Sequence, residues 1–205
     1  MTKGLKICGV SDPIVLNYIL SHPHPPNFIG FITNYEKSKR FVNYEKLKEL
    51  TNVNKKQVNF TSVLVDPSNS ILEKISDINF DYYQLYDVDP DRTKEIKFKY
   101  NIKIITAITI SRKEDVIRHK DYSGISDIIL FDSKGYEKSE SFDHSLLDTL
   151  PNELNKMIAG DIQIDDILNF TYRDFIIDIS GALEDEKGKK DINKINKLLN
   201  LYKKI

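Results

Sequence analysis

The sequence contains one cysteine, no long hydrophobic run and almost no net charge, and each shortage excludes a class of protein. A single cysteine among 205 residues excludes an internal disulfide framework and is typical of a reducing compartment. No apolar run approaches the roughly 18 residues of a membrane span, and the first six residues contain no apolar stretch of signal-peptide length. The net charge of −1 argues against nucleic acid as the main partner, because duplex-binding domains usually carry a basic surplus. We therefore expect a soluble, cytoplasmic protein with no membrane and no nucleic-acid partner.

What the sequence does contain is typical of an ordinary globular domain. Hydrophobic residues make up 40% and aromatic residues 10% of the chain, which indicates a folded rather than a disordered protein. The length suffices for one sizeable domain, and no linker or internal repeat is visible. We therefore expect a single domain over residues 1–205.

Short apolar segments rich in β-branched residues alternate with longer polar segments of helical period. The apolar segments predict eight strands, at residues 5–10, 28–32, 59–65, 82–85, 103–108, 127–131, 156–159 and 175–179. The other segments predict helices at residues 12–20, 43–50, 68–75, 89–99, 112–120, 163–169 and 191–202, with a weak turn near 145–149. Continuous apolar strands that alternate with helices indicate parallel βαβ units in a sheet covered on both faces.

Eight such units fit a closed (β/α)8 TIM barrel, at the small end of the usual length for this α/β fold. The rival architecture is an open doubly wound sheet, which normally carries a glycine-rich fingerprint after its first strand. Here that turn reads Cys-Gly-Val-Ser at residues 8–11, and no glycine-rich loop or Walker-type motif occurs elsewhere. The barrel is therefore the favoured architecture.

In a barrel of this kind the functional residues lie at the C-terminal ends of the strands and in the loops that follow. The candidates at those positions are Cys8, Arg40, Tyr86, Asp132, Gly160, Ser180 and Gly181. Cys8 is either a small buried hydrophobe or a thiolate that acts as base or nucleophile. Asp132 either caps a loop or acts as a general acid, and Arg40 either lies on a solvated surface or grips a carboxylate.

Gly160 and the pair Ser180 and Gly181 follow the seventh and eighth predicted strands. Many barrels bind phosphate in the loops at those two positions, through backbone N–H groups and a short helix N-terminus. Glycine at such a position lets the main chain approach an anion closely. These residues therefore predict a phosphate site.

Two other clusters imitate metal sites. Residues 22–26 read His-Pro-His-Pro-Pro, and no further ligand lies near the two histidines in the sequence. Residues 87–91 begin like a calcium loop, but Arg92 stands where that loop requires glycine and Phe98 where it requires glutamate. We interpret the second cluster as an acidic turn that caps a helix, and we predict no metal.

Several short motifs occur at the predicted strand ends. Residues 6–9 read Lys-Ile-Cys-Gly, residues 38–42 read Ser-Lys-Arg-Phe-Val, and residues 130–133 read Leu-Phe-Asp-Ser. Shorter motifs lie at residues 29–31, 84–85, 103–108, 142–144, 159–160, 178–180 and 188–191. With these motifs the chain resembles the phosphoribosylanthranilate isomerase family nearly from end to end, and Lys-Ile-Cys-Gly is the most specific match.

The resemblance implies a reaction and a role for three residues. The reaction is an Amadori rearrangement of an aminoaldose to an aminoketose in tryptophan biosynthesis, with no metal or redox cofactor. The resemblance makes Cys8 the general base that takes the proton from C2 of the ring-opened Schiff base, and Asp132 the general acid that protonates the ribose ring oxygen. It makes Arg40 the group that holds the anthranilate carboxylate. The implied partner is a small phosphorylated substrate, and the chain is expected to be a monomer or a homodimer.

The chain departs from the family pattern near the expected phosphate site. Residues 134–139 contain one glycine where the family has Gly-Gly-Thr-Gly, and Gly181 stands one place earlier than usual. Asp161 replaces a glycine, so its charge opposes a phosphate unless the side chain points outward. Tyr86 replaces a histidine and His144 replaces a tryptophan. These departures leave open a second hypothesis, a catalytically impaired barrel that binds a phosphosugar or serves as a scaffold.

A third hypothesis is a related phosphosugar isomerase or an aldolase. Related isomerases of histidine biosynthesis use paired aspartates, and Cys8 at the end of the first strand argues against that pattern. Aldolases need a Schiff-base lysine at a strand end inside the barrel, and Lys134 lies two residues beyond Asp132. An active phosphoribosylanthranilate isomerase is therefore the favoured hypothesis.

Overall fold

Eight parallel strands form a closed barrel in the computed structural model, which describes residues 3–133, 142–170 and 173–203. Each strand pairs with the next in the chain, and the last pairs with the first. The strands are β1 Gly4–Cys8, β2 Phe28–Ile32, β3 Asn59–Val65, β4 Tyr82–Tyr86, β5 Lys103–Ile110, β6 Ile128–Ser133, β7 Lys156–Ile158 and β8 Ile176–Ile179. The predicted (β/α)8 fold is confirmed, and the predicted strands agree with these bounds to within two residues.

Helices connect the strands and cover the outside of the barrel. The α-helices are α1 Pro13–Ser21, α2 Tyr44–Thr51, α3 Asn69–Ile75, α4 Pro90–Tyr100 and α5 Ile192–Tyr202. Other segments form 3₁₀ helices, at Lys113–Tyr122, His144–Leu147, Ile164–Phe170 and Gly181–Leu183. Within the described residues, none of the helices has the length and apolar character needed to cross a membrane.

The helices predicted at residues 112–120 and 163–169 have a tighter winding than an α-helix. In the second of these segments the buried residues are Ile164, Ile167 and Phe170, at a spacing of three. A 3₁₀ helix has three residues per turn, so this spacing places all three on one face. The apolar spacing therefore explains why the segment is helical but not α-helical.

The first strand ends earlier than predicted, at Cys8 rather than at residue 10. Gly9 has a φ of +75°, a conformation that glycine adopts without steric cost. The N–H groups of Gly9 and Val10 both donate to the carbonyl of Gly30, over 2.8 and 3.1 Å. This turn at Gly9 leaves Cys8 as the last strand residue, at the mouth of the barrel.

Alternation along the strands separates two apolar layers. On β1, Leu5 and Ile7 face the helices, in the large cluster between barrel and helices. Cys8 belongs to the second cluster, which fills the barrel with residues such as Leu130 and Met157. Since Lys6 and Cys8 are two residues apart, both point into the barrel. The barrel interior also holds several fully or almost fully buried polar side chains, namely Lys6, Thr61, Gln84 and Asp178.

Candidate active site

The C-terminal ends of the strands surround a cavity of about 430 Å³. Its lining comes from β1, β3, β4, β5, β6 and β8, from the end of β2, and from the loops after β2, β7 and β8. All six residues predicted to catalyse or to bind substrate line it: Cys8, Arg40, Asp132, Gly160, Ser180 and Gly181. Barrel closure therefore gathers residues from the whole length of the chain into one cavity.

Cys8 lies on the floor of this cavity with 9% of its surface exposed. Two residues earlier, Lys6 is fully buried and its Nζ donates to Oδ2 of Asp178 over 2.6 Å. Burial raises the pKa of the Cys8 thiol, the positive charge of Lys6 opposes that rise, and the negative charge of Asp178 adds to it. The resting thiol is therefore protonated at neutral pH, and Lys6 is the group that most favours its ionisation.

Asp132 is the next-to-last residue of β6 and borders the same cavity. Its Oδ2 accepts the O–H of Tyr86 over 2.7 Å, and its Oδ1 accepts the N–H of Ser133 over 2.8 Å. Burial raises the pKa of Asp132 to about 6, against the opposing effect of the Tyr86 hydrogen bond and with a further rise from Asp178. A carboxyl group with this pKa can give up a proton near neutral pH, which suits a general acid.

Tyr86 at the end of β4 connects Asp132 to the barrel interior. Its hydroxyl accepts from Nε2 of Gln84 over 3.1 Å and donates to Asp132. Burial, with the nearby charges of Asp132 and Cys8, raises the pKa of Tyr86 well above its ordinary value. The phenol therefore stays protonated and acts as a donor to the carboxylate.

Arg40 in the loop after β2 is held at the rim of the cavity. Its aliphatic stem lies against Gly9, where a Cβ atom would collide with Cδ of Arg40. Its Nε donates to Oε1 of Glu184, and its Nη2 donates to Oε2 over 3.0 Å. These bonds use two of the five N–H donors of a guanidinium, which leaves donors for a second carboxylate.

Glu184 is the centre of an ionic network at the rim. Besides Arg40, the buried Lys190 donates to Oε1 of Glu184 over 2.9 Å. The same ammonium donates to the carbonyl and the hydroxyl of Ser180, over 2.9 and 3.1 Å. Burial acts to raise the pKa of Glu184, but the bonds from Arg40 and Lys190 outweigh it and lower that pKa. Glu184 is therefore a stable anion that fixes the direction of Arg40.

The predicted phosphate end lies at Gly160, Ser180 and Gly181. Gly160 has a φ of +99°, and a Cβ there would lie 3.1 Å from Cβ of Ser133. The side chain of Asp161 is exposed, and its Oδ1 accepts from Nε2 of Gln163 over 3.0 Å. Its carboxylate is thus held by a surface side chain. The divergent residues 134–139 lie outside the described residues.

Four residues escaped prediction as site residues: Asp178 and Glu184, which line the cavity, and Lys6 and Lys190, which bond to them. Lys6 gave a local signal, because a lysine in the middle of an apolar strand shares its inward face with Cys8. The ion pairs themselves have no local signature, since Lys6 and Asp178 are 172 residues apart in sequence. Arg40 and Glu184 are 144 residues apart.

Among residues 3–133, 142–170 and 173–203, no group of three or more His, Cys, Asp or Glu side chains could hold a metal ion. In the turn at residues 22–26, Nδ1 of His22 accepts the N–H of His24 over 3.1 Å. That nitrogen is therefore used within the turn.

The relatives found by sequence and the solved structures described below carry the same name. Residues 5–201 match the family model described as N-(5′-phosphoribosyl)anthranilate (PRA) isomerase. The chain is 30% identical to the N-(5′-phosphoribosyl)anthranilate isomerase of Rhizobium rhizogenes, over 96% of this chain and 92% of that protein. It is 29% identical to the enzyme of the same name from Rhizobium johnstonii, over 100% and 96% of the two chains.

Solved structures of the same name are similar to the whole barrel. The phosphoribosyl anthranilate isomerase of Thermotoga maritima is 25% identical and superimposes with a TM-score of 0.84 over 98% of each chain. A phosphoribosyl anthranilate isomerase in complex with reduced 1-(o-carboxyphenylamino)-1-deoxyribulose 5-phosphate is 23% identical, with a TM-score of 0.83 over 98% of each chain. At 23% identity, this second similarity shows the fold alone.

Proposed function

Because the chain belongs to the N-(5′-phosphoribosyl)anthranilate isomerase family, we propose that Cys8 and Asp132 carry out the Amadori rearrangement of that family in the cavity of this barrel. The protein is an isomerase of tryptophan biosynthesis. Its reaction converts N-(5-phosphoribosyl)anthranilate into 1-(2-carboxyphenylamino)-1-deoxyribulose 5-phosphate. The substrate therefore brings a carboxylate at one end and a phosphate at the other.

Two proton transfers account for the rearrangement. Asp132 gives its proton to the ribose ring oxygen, and the furanose opens to a protonated Schiff base between C1 and the nitrogen. The Cys8 thiol first loses its proton to solvent. The thiolate then takes the proton from C2, which restores the thiol, and the resulting enolamine tautomerises to the ketone. A proton from solvent finally restores the carboxyl group of Asp132. Each positioned proton transfer is worth about 10²–10⁴-fold in rate.

Arg40 and the two loops at the phosphate end hold the substrate across the cavity. The guanidinium of Arg40, directed by Glu184, binds the anthranilate carboxylate. Backbone N–H groups around Gly160, Ser180 and Gly181 bind the phosphate, where glycine permits a close approach. A thiolate base requires a reducing environment, which supports a cytoplasmic location, and the family match over residues 5–201 supports a single domain.

The observation that carries the proposal is the convergence of Cys8, Asp132 and Arg40 on one cavity from three separate parts of the barrel. The pKa of Asp132 near 6 supports its part as the acid. A barrel that only binds a phosphosugar has no need of both proton-transfer groups beside an anion-binding arginine. Catalysis is therefore favoured over the binding hypothesis.

The test is a fluorescence assay with freshly generated phosphoribosylanthranilate and purified protein. The chain contains no tryptophan, so the anthranilate signal is not obscured by protein emission. We expect loss of that signal faster than spontaneous hydrolysis in the wild type, and a kcat at least about 10²-fold lower in Cys8→Ser, because a hydroxyl is a far weaker base. Circular dichroism and thermal melting of Cys8→Ser check that the fold is kept. A folded wild type that does not accelerate signal loss would favour the binding barrel instead.

A further inference from the structure

A buried ion pair lies directly below the proposed base and has no role in the steps above. Lys6 is completely buried, and its Nζ is 2.6 Å from Oδ2 of Asp178, of which 6% is exposed. Such a pair is weak evidence for stability, because the cost of removing two charges from water can exceed their attraction. Its position in the barrel therefore calls for a functional explanation.

The pair is also incompletely satisfied. Oδ1 of Asp178 is buried and has no hydrogen-bond partner among the described residues, although a buried carboxylate oxygen normally has one. Burial raises the pKa of Asp178 even though Lys6 opposes that rise. A pair built only for stability would satisfy both oxygens, so the arrangement has a cost that the fold alone does not explain.

The same ammonium group also lies near the thiol of Cys8. Gly30 on the neighbouring strand β2 has no side chain, and a Cβ built there would lie 2.9 Å from Sγ of Cys8 and 3.2 Å from Nζ of Lys6. The two groups therefore border the same space, which this glycine leaves open. The positive charge of Lys6 favours the ionised form of Cys8.

We propose that Lys6 is the counter-ion of the Cys8 thiolate, a positioning residue that exchanges part of its interaction with Asp178 for the new anion when Cys8 loses its proton. The inference rests on the proposed function of Cys8 as base. In the resting state the ammonium is held by Asp178. When the thiol proton leaves, the same ammonium lies between two anions and stabilises the one that reacts.

Other charged groups around Cys8 set the background for this effect. The titratable groups that act on the thiol, or on which the thiol acts, are Lys6 of β1, Arg40 after β2, Tyr86 of β4, Asp178 of β8 and Lys190 after β8. Burial is the largest influence and raises the thiol pKa, Lys6 is the largest opposing one, and Lys190 has a smaller effect in the same direction as Lys6. Removing Lys6 should therefore raise the thiol pKa even with the other cations in place.

The proposal predicts that substitutions of Lys6 and of Asp178 shift the pKa of the Cys8 thiol in opposite directions. Lys6→Met removes the positive charge and should raise the thiol pKa, whereas Asp178→Asn removes the competing anion and should lower it. Each change should move the thiol pKa, measured as the midpoint of the alkylation rate against pH, by about one pH unit or more. This is the usual effect of one nearby charge. A role confined to packing would not produce shifts in opposite directions.

The measurement is the rate of alkylation by iodoacetamide as a function of pH, followed by intact mass. Cys8 is the one cysteine of the chain, so every added mass reports on this thiol. The matched control is Lys156→Met, which removes another buried lysine whose Nζ bonds the carbonyl of Pro151 instead. We expect its midpoint and its isomerase activity to equal those of the wild type.

The kinetic readout separates this inference from the proposed function. In Lys6→Met we expect kcat to fall about 10–100-fold with KM within about threefold, because the thiolate is used in the chemical step rather than in binding. If the pair variants shift the midpoint in opposite directions but the wild type does not isomerise the substrate, the proposed function fails and the counter-ion remains. If the wild type is active and the two midpoints move together or not at all, the counter-ion is refuted.

A second variant protects the test against misfolding. Lys6→Met leaves Asp178 as an unpaired buried charge, which destabilises the folded state. The double variant Lys6→Met with Asp178→Asn removes both charges and should fold. Its alkylation midpoint should remain above that of Asp178→Asn alone, and equal midpoints would also refute the proposal.

Discussion

The charged groups on the floor of the cavity and those at its rim differ in their hydrogen bonding and in the direction of their pKa shifts. The floor group consists of Lys6, Cys8, Asp132 and Asp178, and the rim group consists of Arg40, Ser180, Glu184 and Lys190. At the rim, both oxygens of Glu184 have cationic donors and its pKa is lowered. On the floor, Asp178 keeps an oxygen without a partner among the described residues, and the pKa values of the thiol and of both carboxyl groups are raised.

This difference separates permanent charge from exchangeable charge. A group whose ionised form is fully hydrogen bonded keeps its charge and can direct a neighbour, as Glu184 directs Arg40. A carboxyl group whose ionised form is penalised by burial has a pKa closer to neutral, as Asp132 does, and can exchange a proton there. The rim is therefore suited to holding a substrate, and the floor is suited to moving protons.

The largest expected effect of a substitution is on the floor. Asp132→Asn keeps the size of the side chain but removes the acidic proton, so kcat should fall about 10²–10⁴-fold with little change in KM. The control is Asp161→Asn, an exposed aspartate at the edge of the same cavity, for which we expect wild-type turnover. Equal rates in the two variants would remove Asp132 from the mechanism.

At the rim we expect a smaller effect, on KM rather than on kcat. Arg40→Ala removes the group that binds the carboxylate, so KM should rise about 10–100-fold, the value of one charged hydrogen-bonded contact. Removal of the neighbouring exposed charge in Lys39→Ala should change KM by less than about threefold. A fall in kcat with KM unchanged would place Arg40 with the floor group and break the comparison.

The floor should also carry a cost in stability that depends on pH. The pKa of Asp132 is raised to about 6 in the fold, above the value of about 3.9 for an unfolded aspartate. The folded state thus binds more protons between these values, and the stabilisation present at low pH is lost as the pH rises towards 6. Asp132→Asn removes this penalty, so its free energy of unfolding should exceed that of the wild type by about 3 kcal/mol at pH 8 and about half of that at pH 5.

Urea unfolding of wild type and Asp132→Asn at the two pH values measures this difference. The comparison needs no substrate, so titration of the substrate phosphate does not enter. A gain that is the same at both pH values would show that the asparagine acts through packing. A loss at pH 8 would contradict the raised pKa.

The smallest effects concern glycines of the two regions. Gly30→Ala places a Cβ 2.9 Å from Sγ of Cys8, so we expect destabilisation of about 1–3 kcal/mol, as for overpacked cores. Gly181→Ala at the rim places a Cβ 3.8 Å from Nη2 of Arg40, an ordinary contact distance. Its free energy of unfolding should change by less than about 0.5 kcal/mol, and equal losses in the two variants would mean that the floor is no tighter than the rim.

Much of the fold could be predicted because barrel strands are short continuous apolar runs. The segment at residues 59–65 became β3 with the same bounds. The end of β1 could not be predicted, because it depends on the positive φ of Gly9 and on two bonds to Gly30 of the next strand. The winding at Ile164–Phe170 depends on a spacing of three that a search for α-helical period overlooks.

The candidate site divides in the same manner. Cys8, Arg40 and Asp132 could be named because strand ends and loops are where a barrel places its chemistry. Glu184 and Lys190 could not, because their importance comes from contacts with Arg40 and Ser180 that only the folded chain brings together. The roles of the named residues are still predictions, for which the substitutions above are the tests.

The bond between Lys6 and Asp178 joins the first strand of the barrel to the last. Since the two residues are 172 positions apart, nearly the whole barrel must leave the ribosome before Lys6 can find its partner. Until β8 docks, β1 carries a lysine that has no anion beside it and cannot be buried cheaply. Closure of the barrel and completion of its chemistry therefore coincide, so a chain that stops short of β8 should lack both. The late pairing of β8 with β1 also predicts slow folding, because the entropy cost of closing such a long loop comes before the contacts that stabilise the barrel.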